Sequence, residues 1–156
     1  MGKLTLGLVL GFAVFNFSFG LSAHLEKAKQ GCEAGKKADC IRLSIVFYQK
    51  KDFKNAFEYS KKACDLGSSD GCSKVGFHYL DGIVVKKDLK KASEYFKKSC
   101  DMDESRGCYN LALLYDKGEG VKQDKKMAKK LYEKACKLRN RWACQAIGKD
   151  VVSALR

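Results

Sequence analysis

The chain has 156 residues, eight of them cysteine and none proline, and its 31 lysines and arginines against 18 acidic residues give a formal charge of +13. Ordinary usage would supply about eight prolines, so their absence excludes proline-rich linkers and polyproline segments and suits a helical chain. A hydrophobic share of 46% excludes a disordered chain, and the length suits one domain.

Residues 1–23 read as a secretory signal peptide. Met1-Gly2-Lys3 is a short basic start, and Leu4 to Phe15 is apolar but for Thr5. Gly20-Leu21-Ser22-Ala23 then supplies small residues before the polarity changes at His24. Cleavage after Ala23, Ser22 or Gly20 fits. The alternative is an uncleaved anchor, since about 18 such residues nearly span a bilayer. A lipoprotein does not fit, because the first cysteine, Cys32, lies well past the apolar run. The expected mature chain is 24–156, secreted or periplasmic, with no stable membrane insertion once the signal is removed.

Eight helices are expected in chain order, over about 24–34, 38–50, 53–65, 70–80, 89–101, 106–116, 125–137 and 142–153. The cysteines set their ruler. They fall at 32, 40, 64, 72, 100, 108, 136 and 144, always eight apart within a pair, and the pairs recur after 32, 36 and 36 residues. Such a period means internal repeats. In an exported chain an even cysteine count reads as disulfides. Only local pairing treats every repeat alike: Cys32–Cys40, Cys64–Cys72, Cys100–Cys108 and Cys136–Cys144. Residues eight apart in one straight helix are about 12 Å apart, whereas a disulfide needs Cα atoms within about 4.4–6.8 Å. Each seven-residue spacer must therefore turn, and each bridge staples a helical hairpin. Zinc does not fit, since its ligand pairs usually stand about two to four residues apart and the chain has two histidines. Neither a metal nor a cofactor is expected.

The segments Cys72–Cys100 and Cys108–Cys136 align without a gap; Cys40–Cys64 is four residues shorter, missing the Gly-Val loop. The first helix of each unit carries Leu43, Val75, Leu111 and Ile147 three past the second cysteine, each followed by a small residue (Ser44, Gly76, Ala112, Gly148). Phe47, Tyr79 and Tyr115 follow one turn later. The second helix opens on Asp52, Asp88 and Asp124, suited to cap an N-terminus. It then repeats a small–large–large–small stripe, Ala92, Tyr95, Phe96, Ser99 and Ala128, Leu131, Tyr132, Ala135. Gly82, Gly118 and Gly120 mark the loops. A hairpin of this size cannot bury its own stripe, so neighbours stack into an all-α, right-handed α/α superhelix.

Val75-Gly76 with Tyr79, Lys91-Ala92, and Gly118-Glu119-Gly120-Val121 with Asp124 resemble the Sel-one-like repeat, a relative of the tetratricopeptide repeat. Val84 departs from that pattern, standing where the middle glycine belongs. With cysteines paired eight apart and a signal peptide, residues 24–156 resemble the Helicobacter cysteine-rich protein family. The resemblance implies an exported, disulfide-linked solenoid. It also implies penicillin binding with slow β-lactam hydrolysis, or interaction with a host.

The residues themselves name no catalytic group. A serine β-lactamase needs Ser-x-x-Lys, Ser-Asp-Asn and Lys-Thr-Gly, and none occurs. Ser69-Asp70-Gly71 reads as a helix-start turn, and His78, between Phe77 and Tyr79, as a helix-surface or packed residue. An enzyme would therefore be a hydrolase by resemblance alone, its groove orienting water near the strained ring.

Solenoids offer a long concave surface to extended partners. The first helices are expected to line it, exposing Ile41, Ser73 and Tyr109 and, one turn on, Ile45, Phe77 and Leu113. Ile45, Phe77, Tyr109 and Leu113 are the candidate ligand-binding residues, for a peptide or protein partner or for a β-lactam or peptidoglycan-derived ligand. Packing against neighbouring helices is the competing role for this apolar set. Nucleic acid is not an expected partner: lysines outnumber arginines 26 to 5, and arginine is the bidentate reader of phosphate and base. The lysine runs read as a solvated outer face, and the molecule is expected to be a monomer.

Overall fold

A computed structural model describes residues 23–148; the expected signal peptide, residues 1–23, lies outside the described residues but for Ala23. The described residues form eight helices and no strand. Helix α1 spans 23–33, followed by α2 (Lys37–Gln49), α3 (Phe53–Asp65), α4 (Ser69–Asp81), α5 (Leu89–Asp101), α6 (Ser105–Lys117), α7 (Lys125–Lys137) and α8 (Arg141–Ala146). They stack in chain order as antiparallel neighbours of a right-handed superhelix. The expected last helix over 142–153 stops early: Ile147 caps it and Gly148 turns left-handed, at φ 68°. Its remainder lies outside the described residues.

The helix starts follow the capping rule. The carboxylates of Asp52, Asp88 and Asp124 accept the backbone N–H three residues on, at 3.2, 2.9 and 2.8 Å. Ser68 and Asn140 cap α4 and α8 in the same way. Between α1 and α2, α3 and α4, α5 and α6, and α7 and α8 one turn design recurs. The N–H of Lys36, Ser68, Glu104 and Asn140 reaches back five residues to the carbonyl of Gly31, Ala63, Ser99 and Ala135. This closure needs a left-handed residue just before it, which is Gly35, Gly67, Asp103 and Arg139 in turn.

Each such turn carries a disulfide. Cys32–Cys40, Cys64–Cys72, Cys100–Cys108 and Cys136–Cys144 are bonded, with Cα atoms 4.5–4.7 Å apart. The bridges thus tie the second helix of one repeat to the first helix of the next.

The buried residues form four clusters along the stack, built mainly from the disulfide cysteines and alanines with single large side chains between them. Phe96, wholly buried, meets Phe77 edge-on at 5.2 Å, and Tyr132 meets Tyr109 at 5.8 Å. Gly76 makes room for Phe96, since a Cβ at position 76 would stand 2.6 Å from that ring. The long loops fold back: Val84 and Val85 pack on the Phe57 cluster and Val121 on the Phe96 cluster.

Candidate functional site

Alignment of the second helices on their closing cysteines gives Ser60, Phe96 and Tyr132 at one position, four before Cys64, Cys100 and Cys136. The two later repeats fill the space beneath their first helices with an aromatic ring. The first repeat has a hydroxyl there. On the facing helix Ser44 occupies the position of Gly76 and Ala112.

The outcome is a cavity of about 410 Å³ between α2 and α4. Ile45, Tyr48, Phe53, Phe77 and Ile83 form its apolar wall, Ser44, Ser60 and His78 add polar groups, and Lys74 and Asp81 also border it. Farther along, α4 and α6 touch directly, with Leu114, the counterpart of His78, buried between them. The cavity is therefore a departure from the repeat, with an identifiable cause.

The polar floor is internally satisfied. Ser60 donates to the Ala56 carbonyl at 2.7 Å. Its single proton is thereby committed, so Ser44 is the donor in the 2.7 Å contact between the two hydroxyls. Neither oxygen is presented to His78 as a nucleophile to a base. All cysteines of the described residues are in disulfides. His78 is buried, edge-on to Phe57 at 5.3 Å. Burial holds its imidazole below the usual histidine range, with Lys74 adding to this and Asp81 opposing it.

Of the four candidate binding residues the structure brings two together. Ile45 is 40% exposed at the cavity mouth, and Phe77 is half-buried, one edge on Phe96 and another on the cavity. Tyr109 and Leu113 are placed elsewhere, packed on the α6–α7–α8 core, where Tyr132 fills the space that Ser60 leaves open. Ser73, expected on the exposed face, is buried, and its hydroxyl has no partner among the described residues. Ser60 and the polar role of Ser44 are not among the residues expected from the sequence. The signal for Ser60 is the small–large–large–small stripe carried into the first repeat, where Ala56, Tyr59, Ser60 and Ala63 break it at the third place.

These features define a disulfide-linked α/α repeat solenoid with an open cavity between the first helices of two repeats. Residues 41–68, 69–104 and 105–140 match the Sel1 repeat family, and the chain belongs to it. The boundaries at 68/69, 104/105 and 140 fall inside the disulfide turns, and the first match begins just past Cys40, as expected for bridges that join repeats. The chain is similar to Helicobacter pylori cysteine rich protein B (hcpB), at 35% identity over 81% of this chain and 94% of that one, with a TM-score of 0.67. A Sel1 repeat protein from Oxalobacter formigenes shares the fold (TM-score 0.73, 23% identity, 80% and 96% of the two chains). So does c5321, a protective antigen of uropathogenic Escherichia coli (TM-score 0.72, 21% identity), of which this chain spans 31% while 84% of its own length is covered. No curated protein sequence matches the chain.

Proposed function

We propose that the protein is an exported scaffold that holds an extended peptide or protein segment along its first helices. One apolar side chain of that partner is anchored in the α2–α4 cavity. The observation that carries this reading is the exchange of a core aromatic for Ser60. A solenoid built only for stability would keep the ring, because a large empty space forfeits packing. About 410 Å³ exceeds what one aromatic side chain occupies and falls within the usual range of ligand pockets. The apolar wall suits a side chain, and the exposed mouth at Ile45 and Tyr48 suits a chain continuing in both directions. Export is supported by the disulfide framework, which persists in oxidising compartments, and by the leader-like residues 1–23. Among the described residues no helix is long and apolar enough to cross a membrane.

Ile45 is the residue to test, because it borders the cavity while contributing little to the core. Ile45→Lys should leave the far-ultraviolet dichroism and unfolding midpoint unchanged and lower affinity for peptides selected on the native protein by at least about tenfold. Undiminished binding by this variant would refute the assignment.

A further inference from the structure

The four cysteine-bounded turns are structural equivalents, so each serves as a control for the others. In the first, Glu33 and Asp39 cancel Lys36 and Lys37; the second holds Asp65 and Asp70. In the third, Asp101, Asp103 and Glu104 outweigh Arg106. The fourth reverses the sign: Lys137, Arg139 and Arg141 stand there with no acidic residue. All three are exposed, and none has an ion-pair partner among the described residues. The same turn carries the chain's single tryptophan, Trp142, 56% exposed at the position held by Asp70 and Arg106 in the two preceding turns. The Arg141 guanidinium lies 4.9 Å from the centre of its ring.

This arrangement runs against the stability of the fold. Arg139 occupies the left-handed position, at φ 66°, that the first two turns give to glycine. A large indole is left in water where the other turns place a small, acidic or ion-paired side chain. On the adjoining helix, Lys126 and Lys130 share the face of Lys137, against one acid, Glu133.

We propose that this α7–α8 tip docks on the surface of an anionic phospholipid bilayer. Lys137, Arg139, Arg141 and Trp142 are all exposed within one short turn, an apolar ring among cations with no cleft around it, which suits a broad anionic surface better than a single peptide. An indole prefers the headgroup boundary, and flanking cations add attraction to anionic lipid. The charges meet phosphate while the ring enters the interface. The ion-paired and acidic turns at the other three positions lack this combination.

Trp142, as the only tryptophan, reports its own position. The full-length, disulfide-bonded chain is mixed with vesicles of phosphatidylcholine alone or with about one third phosphatidylglycerol, each containing brominated lipid. The expected result is tryptophan quenching on the anionic vesicles, at least about tenfold weaker on the neutral ones and lost at high salt. The combined variant Lys137→Gln, Arg139→Gly, Arg141→Gln should lose at least about tenfold in anionic binding. Glycine suits the left-handed backbone at 139, so this variant keeps its fold, which circular dichroism checks. Binding through the apolar N-terminal residues would leave Trp142 unquenched, and that result would overturn the proposal. It would be overturned equally by quenching that ignores lipid charge, or by a soluble polyphosphate that binds the tip as tightly as the vesicles do.

Discussion

Ser60 and Ser44 form a matched pair, and the neighbouring repeat shows what each replaces. Phe96 fits under α4 because position 76 has no Cβ to meet its ring. Ser60→Phe alone should therefore collide with Ser44 and cost about 1–3 kcal/mol through overpacking. The double variant Ser44→Gly, Ser60→Phe should recover that loss, since it rebuilds the Gly76–Phe96 arrangement. Denaturant unfolding of the four members of this cycle measures the coupling. His78 gives a second prediction. Its folded pKa is depressed by burial, so above the unfolded value both states are neutral and stability is complete. As pH falls below about 6.5, the unfolded chain takes up a proton that the folded chain resists, and stability declines until the folded imidazole also titrates. His78→Leu, copying Leu114, should flatten that slope in unfolding midpoints measured across pH 5 to 8.

At the level of helices and turns, three of the eight expected spans, 53–65, 89–101 and 125–137, match the structure residue for residue. Their Asp caps and stripe periodicity are local signals, and local signals are what a single sequence displays best. The last helix, expected from 142, starts at Arg141 and ends at Ala146, ahead of Gly148 and its left-handed backbone; the apolar residues that suggested a longer span lie past Gly148, outside the described residues. The cysteine spacing displayed the bridges for a geometric reason, since a separation of eight can close only across a turn. Removing one bridge by Cys64→Ser with Cys72→Ser should cost about 2.5 kcal/mol, measured by denaturant unfolding. The turn at 139 predicts a gain instead. Arg139→Gly relieves a left-handed backbone and should raise stability by about 0.5–1 kcal/mol. A fall in the unfolding midpoint would show that Arg139 makes contacts beyond the backbone strain it carries.

For the molecule as a whole, a repeat array makes its departures informative. Regular positions account for stacking: Ala56, Ala92 and Ala128 are each buried at the same register, and such positions disclosed the solenoid from sequence. The candidate site was only half legible. Ile45 and Phe77 were found by counting from the cysteines, but the same count placed Tyr109 and Leu113 beside them. Which of these apolar residues faces a void depends on the volume at position 60, 96 or 132, on a different helix, and periodicity along one helix does not carry that information. The same logic separates the basic α7–α8 tip from the general positive charge.

The proposed function rests on an apolar side chain of an extended partner occupying the α2–α4 cavity. Selection of displayed random peptides on the folded native protein, followed by affinity measurement against the Ser44→Gly, Ser60→Phe variant, tests it most directly. Selected peptides are expected to share one aromatic or large aliphatic residue and to bind the filled variant at least about tenfold more weakly. Peptides that bind the native and filled proteins equally well would contradict it.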